Sequence, residues 1–404
     1  MTASTSAGAL SARGAVGSLT VSECATTEAF RALASEWDDL LERSGSRSAC
    51  LAWGWLFAWW SRFQKGRTLK ILTVRDVARR LVGVAPFCVQ SEGRMAPLRA
   101  LSFLGTERVS SDYLDIIAES GREEGVSAAL WDALRADRGS WDLMRLTDLL
   151  DDSLVLRLWK PLGKSQRFMV DEMHCQLCPY LPLAETVEAF RKSLGSSQRQ
   201  NLRKKGKRLE EAGVTFGAIE DVQALPAALE RFYELHRARW RTKGMTGNFE
   251  DPRVLAFHEE VVRLLSPTGK MRLYELRAGS RMIAGLYGLQ LKDTFFCYQT
   301  GFDPTPPSPD LPATKYSPGV VMIGRCMEDA VQRGLRVFDF MRGPEPYKFE
   351  WTRQCRETKT LTLVPPENWP ARIRFSGELA VRGAKGIVKR VIGRKPPGAT
   401  SPSV

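Results

Sequence analysis

The feature that most constrains this chain is an internal repeat. Leu69–Val89 (LKILTVRDVARRLVGVAPFCV) and Met271–Leu291 (MRLYELRAGSRMIAGLYGLQL) both read as strand, tight turn, strand, with Gly83 matching Gly285. Further on, Trp141-Asp142-Leu143-Met144-Arg145 is echoed by Phe338-Asp339-Phe340-Met341-Arg342. Both matches keep their order and are offset by about 200 residues, which is the signature of a duplicated unit. A length of 404 residues accommodates two domains of ordinary size.

Each half repeats one order of elements. In the first, the pattern predicts helices at 27–43 and 51–63, then strands near 69–75, 80–89 and 112–118. A helix at 122–136, a strand at 141–147, a helix near 153–162 and a strand near 167–181 follow. In the second, helices are expected at 185–212, 222–242 and 251–266, and strands at 271–277, 281–291 and 293–301. A helix at 317–333, a strand at 336–341, a short helix near 346–352 and a strand at 358–364 complete it. The proline-rich stretch 304–309 is a loop, because proline removes ladder donors. Fold class is therefore α/β, with two tandem domains, each a mixed twisted sheet flanked by helices. The expected division is a disordered leader at 1–20, domains at 21–183 and 184–367, and a basic tail at 368–404.

Composition sets limits on partners and location. Hydrophobic residues make up 43% and charged ones 26%, enough for a packed core. The net charge of +13 favours an anionic partner. The most apolar run, Cys50–Trp60, is too short to span a bilayer, and residues 1–20 lack the apolar stretch of a signal peptide. Single, scattered cysteines fit a reducing cytoplasm. His174, Cys175 and Cys178 have no second ligand pair, so no metal is expected. The tail carries eight basic residues between Arg372 and Lys395 against one acid, Glu378, with apolar residues at helical spacing. It reads either as a solvated terminus or as an amphipathic helix on an anionic membrane through 372–395, which would put the protein at the membrane's inner face.

Three segments could carry chemistry. On a helix starting near 197, Arg199, Arg203 and Lys207 share one face at i, i+4, i+8, a stripe suited to a polyphosphate. In Lys315-Tyr316-Ser317-Pro318-Gly319-Val320, Ser317 reads as N-cap, Pro318 as the first helical residue and Gly319 as a position with no side chain in the way. A helix start of that kind is a ready anion site. In Asp339–Trp351 (DFMRGPEPYKFEW), Asp339 ends a strand, and the turn after it presents Glu345, Tyr347 and Lys348. That cluster offers a carboxylate to take a proton, a phenol to return one and an ammonium to steady an oxyanion. The P-loop, the dinucleotide fingerprint and the serine-hydrolase elbow are all absent from the sequence.

Together SSQRQNLRKKGKRLEEAG (196–213), LHRARWRTKG (235–244), KYSPGVVM (315–322), FDFMRGPEPYKFEW (338–351) and LSFLGTERVSSDYLDII (101–117) resemble the CelD-type acyltransferases of the GNAT superfamily, relatives of the Fem peptidyl transferases. The resemblance covers roughly residues 20–365. It implies two GNAT-like domains, the second holding the working cleft, and an acyl-CoA (acetyl-CoA) donor with an amine acceptor. The donor pyrophosphate would meet Ser317, Gly319 and Val320. The superfamily's usual [RQ]xxGx[GA] loop is not present, and Arg199, Arg203 or Lys315 would supply charge in its place. Lys348 matches the lysine of the Fem aromatic-Lys motif and Tyr347 its aromatic. Asp339 or Glu345 would accept the amine's proton, and Tyr347 or Tyr298 would protonate the leaving thiolate. Asp112 and Asp115 would position a cationic acceptor, with a role in polysaccharide or envelope synthesis. Two other readings stand beside it: an aminoacyl-tRNA-dependent, Fem-like transferase, and a non-catalytic module holding an anionic ligand. No specific nucleic-acid contact is expected, since 191–208 contains no aromatic residue.

Overall fold

The structure, a computed structural model, describes residues 19–392 except 94–96, 107, 242, 243, 245, 246, 308–310 and 312–314. The leader through residue 18 and the tail after 392 lie outside the described residues. The first half runs β1 (Thr20–Cys24), α1 (Thr27–Ala32), α2 (Ala34–Arg43), α3 (Trp53–Phe63), β2 (Arg67–Arg75), β3 (Leu81–Glu92), β4 (Leu98–Phe103), β5 (Ile117–Ala118), α4 (Glu123–Ala136) and β6 (Leu143–Leu150). A π-helical turn (Val155–Trp159), α5 (Lys160–Ser165) and β7 (Met169–Pro182) close it. The second half runs α6 (Val187–Ser193), α7 (Ser196–Glu211), β8 (Val214–Ala218), α8 (Leu225–Arg241), α9 (Pro252–Leu265), β9 (Met271–Ala278), β10 (Arg281–Leu291) and β11 (Thr294–Phe302). It continues with α10 (Pro318–Gln332), β12 (Val337–Asp339), α11 (Pro346–Phe349), β13 (Cys355–Val364) and α12 (Trp369–Ile392).

Several local expectations change. The strand expected over 112–118 shrinks to the two residues of β5, and its place in the sheet is taken by β4. Residues 112–116 cannot continue a strand because Tyr113 adopts a left-handed φ of 61°. The helix expected over 185–212 breaks at Leu194, whose backbone is extended, and α7 restarts from Gly195. Strands β1 and β8 are additional.

The thirteen strands of the described residues join one mixed sheet, in the order β1-β2-β3-β4-β6-β13-β7-β12-β11-β10-β9-β8, with β5 on β3. Two pairs are parallel, β4/β6 and β11/β12, one in each half. The halves exchange their last strands. β13 lies between β6 and β7, pairing Leu361 with Leu146 and Arg356 with Cys178. β7 in turn pairs with β12, Leu181 opposite Phe338. The two repeated glycines have one purpose: a Cβ on Gly83 would strike Val126 of α4 at 2.2 Å, and one on Gly285 would strike Phe232 of α8 at 2.7 Å. Each lets a helix side chain lie directly on a strand.

Helices also cross the join. Trp55 of α3 meets Phe257 of α9 edge to face at 4.8 Å, and Gly54 leaves room for Leu265. One apolar cluster consequently contains Trp37, Trp55 and Trp59 from the first half and Phe232, Phe257 and Tyr287 from the second. Among the described residues no helix is long and apolar enough to cross a membrane.

Candidate active site

The parallel strands β11 and β12 pair only from Thr294/Val337 to Phe296/Asp339. β11 then continues to Phe302 while the other chain turns away at Phe340. The two strands part, and a cleft of about 240 Å³ opens between them. One wall is Cys297–Thr300; the other is Phe340–Gly343 with Glu345, Tyr347 and Lys348. Arg239 of α8 closes one end, and Ser110, Asp112 and Gln176 of the first half close the other side.

Two buried ion-pair networks hold the turn after β12. Asp339 is fully buried. Its carboxylate accepts the Tyr113 hydroxyl at 2.9 and 3.1 Å, the Met341 amide at 2.7 Å and the Arg356 guanidinium. Burial pushes its carboxyl up to about 6 despite the opposing charge of Arg356. In the second network, Asp112 accepts the Arg342 amide at 2.7 Å and its guanidinium, which also meets Asp148 at 3.0 Å. Burial disfavours that charge, yet Asp112 and Asp148 hold Arg342 above its usual value. Tyr113, Asp148 and Met341 are all non-glycine residues at φ near +60°, and each takes part in these networks. Such backbone costs on the order of 1–3 kcal/mol per residue and persists where its surroundings over-determine it.

Lys348 is 4% exposed. Its ammonium donates to the carbonyls of Arg342 at 2.6 Å and Met341 at 3.3 Å and sits 2.9 Å from Glu345. Tyr347 packs beneath Arg239, whose guanidinium lies 5.5 Å from its ring, and burial pushes its phenol upward. Arg239 also donates to the Thr300 carbonyl at 3.1 Å and lies 5.4 Å from the Phe302 ring. Tyr298 faces the cleft, but its hydroxyl donates to the Val109 carbonyl at 2.6 Å.

The α10 start adjoins the end closed by Arg239, through the Phe302 ring, but Lys315, Ser317, Gly319 and Val320 are not among the residues that line the cleft. Ser317 makes no side-chain capping bond, Pro318 is the first helical residue, and the Gly319 Cβ position is 3.4 Å from the Phe302 ring. The hydroxyl of Tyr316, the residue before Ser317, is buried with no partner among the described residues. Val320 is half-buried and Lys315 is exposed.

Of the residues expected to carry chemistry, Lys348, Tyr347, Glu345, Tyr298 and Asp112 line the cleft, while Asp339 lies beneath it, sealed. Three others are placed elsewhere. Asp115 accepts the Leu154 and Val155 amides, capping the π-helical turn, and burial pushes it up to about 7. It faces a separate cavity of about 140 Å³ bordered by Arg47 and Arg157. Arg199 and Arg203 line a groove between α7 and α10 whose α10 wall is Arg325 and Glu328. That is about two helical turns beyond Pro318, so the stripe does not flank the α10 start. Sequence reasoning gave no role to Arg239, Gln176, Arg342 or Arg356. Arg342 had a signal, since it matches Arg145 in the repeat; Arg239 sat inside a quoted motif.

A mixed sheet with one parallel strand pair in each half, the pair of the second half parting near a helix start, defines a tandem GNAT-like fold. Residues 196–349 match the family model described as acetyltransferase (GNAT) domain, and that segment supplies all of the cleft's lining except Ser110, Asp112 and Gln176. Among solved structures the chain is similar to FemX, at 13% identity and a TM-score of 0.56, covering 83% of this chain and 95% of that one. It is similar to the C-terminal domain of a putative lysylphosphatidylglycerol synthetase from Agrobacterium fabrum, at 10% and 0.51, covering 87% and 96%. L-PGS from Bacillus licheniformis gives 11% and 0.50, covering 89% and 96%. No curated protein matches.

Proposed function

We propose that the protein is an N-acyltransferase that moves an acyl group from acyl-CoA to an amine, in the manner of the CelD-type enzymes of polysaccharide or envelope synthesis. The observation that carries this reading is the parting of β11 and β12 over Glu345, Tyr347 and Lys348. The residues fit a thioester carrier: the α10 first turn has no side-chain cap, and the hydroxyl of Tyr316, two residues before Pro318, is buried with no partner among the described residues. Ser317, Gly319, Val320 and Lys315 would hold the diphosphate, with amides and charge rather than a glycine-rich loop. Acyl-CoA supplies an activated carbonyl open to direct attack by an amine.

The chain's own groups divide the remaining work. Glu345 is the carboxylate of this cluster with access to the cleft, so it accepts the amine's proton, directly or through water. Lys348, fixed by two carbonyls, stabilises negative charge on the carbonyl oxygen. Tyr347 is the phenol placed to return a proton. Asp339 does not touch substrate; it holds the turn. Asp112 and Ser110, from the first half, border the acceptor side.

The test is a thiol-release assay over acyl-CoAs and amines, amino sugars included, paired with thermal shift. Saturable stabilisation by acetyl-CoA and thiol release are expected. Lys348→Ala should lower kcat about 10²–10³-fold and keep the acetyl-CoA shift. Normal turnover of that variant would remove Lys348 from the mechanism. Transfer from aminoacyl-tRNA, with no response to acyl-CoA, would replace the donor with the Fem-like one.

A further inference from the structure

The geometry points to α12 as a docking element for an anionic lipid bilayer. This helix has two apolar faces where a surface helix ordinarily has one. Ala371 and Phe375, with half-buried Leu379, pack on Leu98, Leu143 and Val364 of the sheet, which fixes the helix to the molecule. On the other side Trp369 is 67% exposed and Ile373 64%. Ser376, Ala380 and Ala384 continue their row at helical spacing, all exposed. Across Ile373–Ala384 the exposed positions carry a single charge, Arg382. That arginine is turned to the sheet side of the helix, where it pairs with Asp171 of β7 at 2.6 Å and lies over the packed Phe375 ring, so the Trp369–Ile373 row itself carries no charge.

The charge around this stripe selects its partner. Along the described helix Arg382 pairs with Asp171 and Arg374 with Glu378, while Arg372 donates to the Arg167 carbonyl; the surplus positive charge is that of Arg372 together with Lys385, Lys389 and Arg390, which the sequence adds with no further acid. A tryptophan and an isoleucine exposed in a helix rich in arginine is the composition of a segment lying in the lipid interface, drawn there by anionic headgroups. A second copy of the chain would set the same cations against one another. The proposal is independent of the acyl donor.

Co-sedimentation of the full chain with phosphatidylglycerol/phosphatidylcholine vesicles tests it, with pure phosphatidylcholine vesicles as control. Binding to the anionic vesicles that weakens as salt is raised is expected. Trp369→Ser with Ile373→Ser should reduce partitioning about tenfold without lowering Tm, since both side chains are exposed. Equal binding to both vesicles, no binding, or an unchanged double variant would overturn the proposal. So would a wild-type dimer that the double substitution converts to a monomer, which would make the face a contact between copies.

Discussion

Two of the three histidines are buried, and their environment holds them neutral. His258 lies between the hydroxyls of Tyr287 and Tyr298, at 3.3 and 3.4 Å, and burial pushes it down to about 3. His236 falls to about 4 for the same reason. A depressed histidine contributes stability that is complete above pH 6.5 and is lost as pH falls toward its folded value. Asp115 and Asp339, raised to about 7 and about 6, act with the opposite sign, so the wild-type curve alone mixes the two. The difference between wild type and His258→Gln cancels the aspartates. Urea denaturation should give a difference that is flat above pH 6.5 and shrinks by about 1.4 kcal/mol per pH unit below it. A difference independent of pH would mean that His258 is not held neutral. Residues of this kind show how far sequence reading reaches. Glu345, Tyr347 and Lys348 were legible because four positions of chain contain them all. The Asp112–Arg342 pair was not, because about 230 residues separate partners that only the completed fold brings together.

Elements with strong periodicity or clear caps were legible: α10, from Pro318, and the β9–β10 hairpin fall within a residue or two of their expected bounds. Those that failed did so for local reasons. Residues 112–118 alternate like a strand, but their carboxylates are engaged as caps and ion pairs, at Leu154 and Arg342, and not set along a ladder. The close seating of α8 on β11 had no sequence signal beyond a glycine. A Cβ at Gly301 would lie 2.7 Å from the His236 amide nitrogen and 3.0 Å from the Leu235 carbonyl carbon, both backbone. Backbone cannot rotate away, so Gly301→Ala must lift the helix from the strand that lines the cleft. A loss of about 1–3 kcal/mol is expected, read as a Tm several degrees lower. Gly217→Ala, where nothing lies within 4 Å of the new Cβ, is the control and should stay within about 0.5 kcal/mol. Equal Tm for both would show that α8 has slack at this contact.

At the scale of the molecule, duplication was readable and the exchange of strands was not. Both β7 and β13 look like the last strand of their own half, and hydrophobic pattern says nothing about which neighbour a strand chooses. The exchange has consequences for the cleft. Its β12 wall is supported by β7, a first-half strand, and the turn after β12 is pinned to Asp112 and Tyr113 of the first half. A second half cut free at residue 184 would leave β12 and β13 with no strand between them, each exposing an unpaired edge. It would also leave Asp339 buried without the Tyr113 hydroxyl and uncover Phe257, which packs on Trp55. Residues 184–392 expressed alone are therefore expected to aggregate or stay unfolded, as are residues 19–183. Co-expression of the two fragments should restore a soluble complex. In the intact chain, tryptophan fluorescence, reporting chiefly on the first half, and far-UV circular dichroism should give one coincident urea transition. Two separated transitions, or a soluble, folded 184–392 fragment, would show that the shared sheet joins two units that are stable apart.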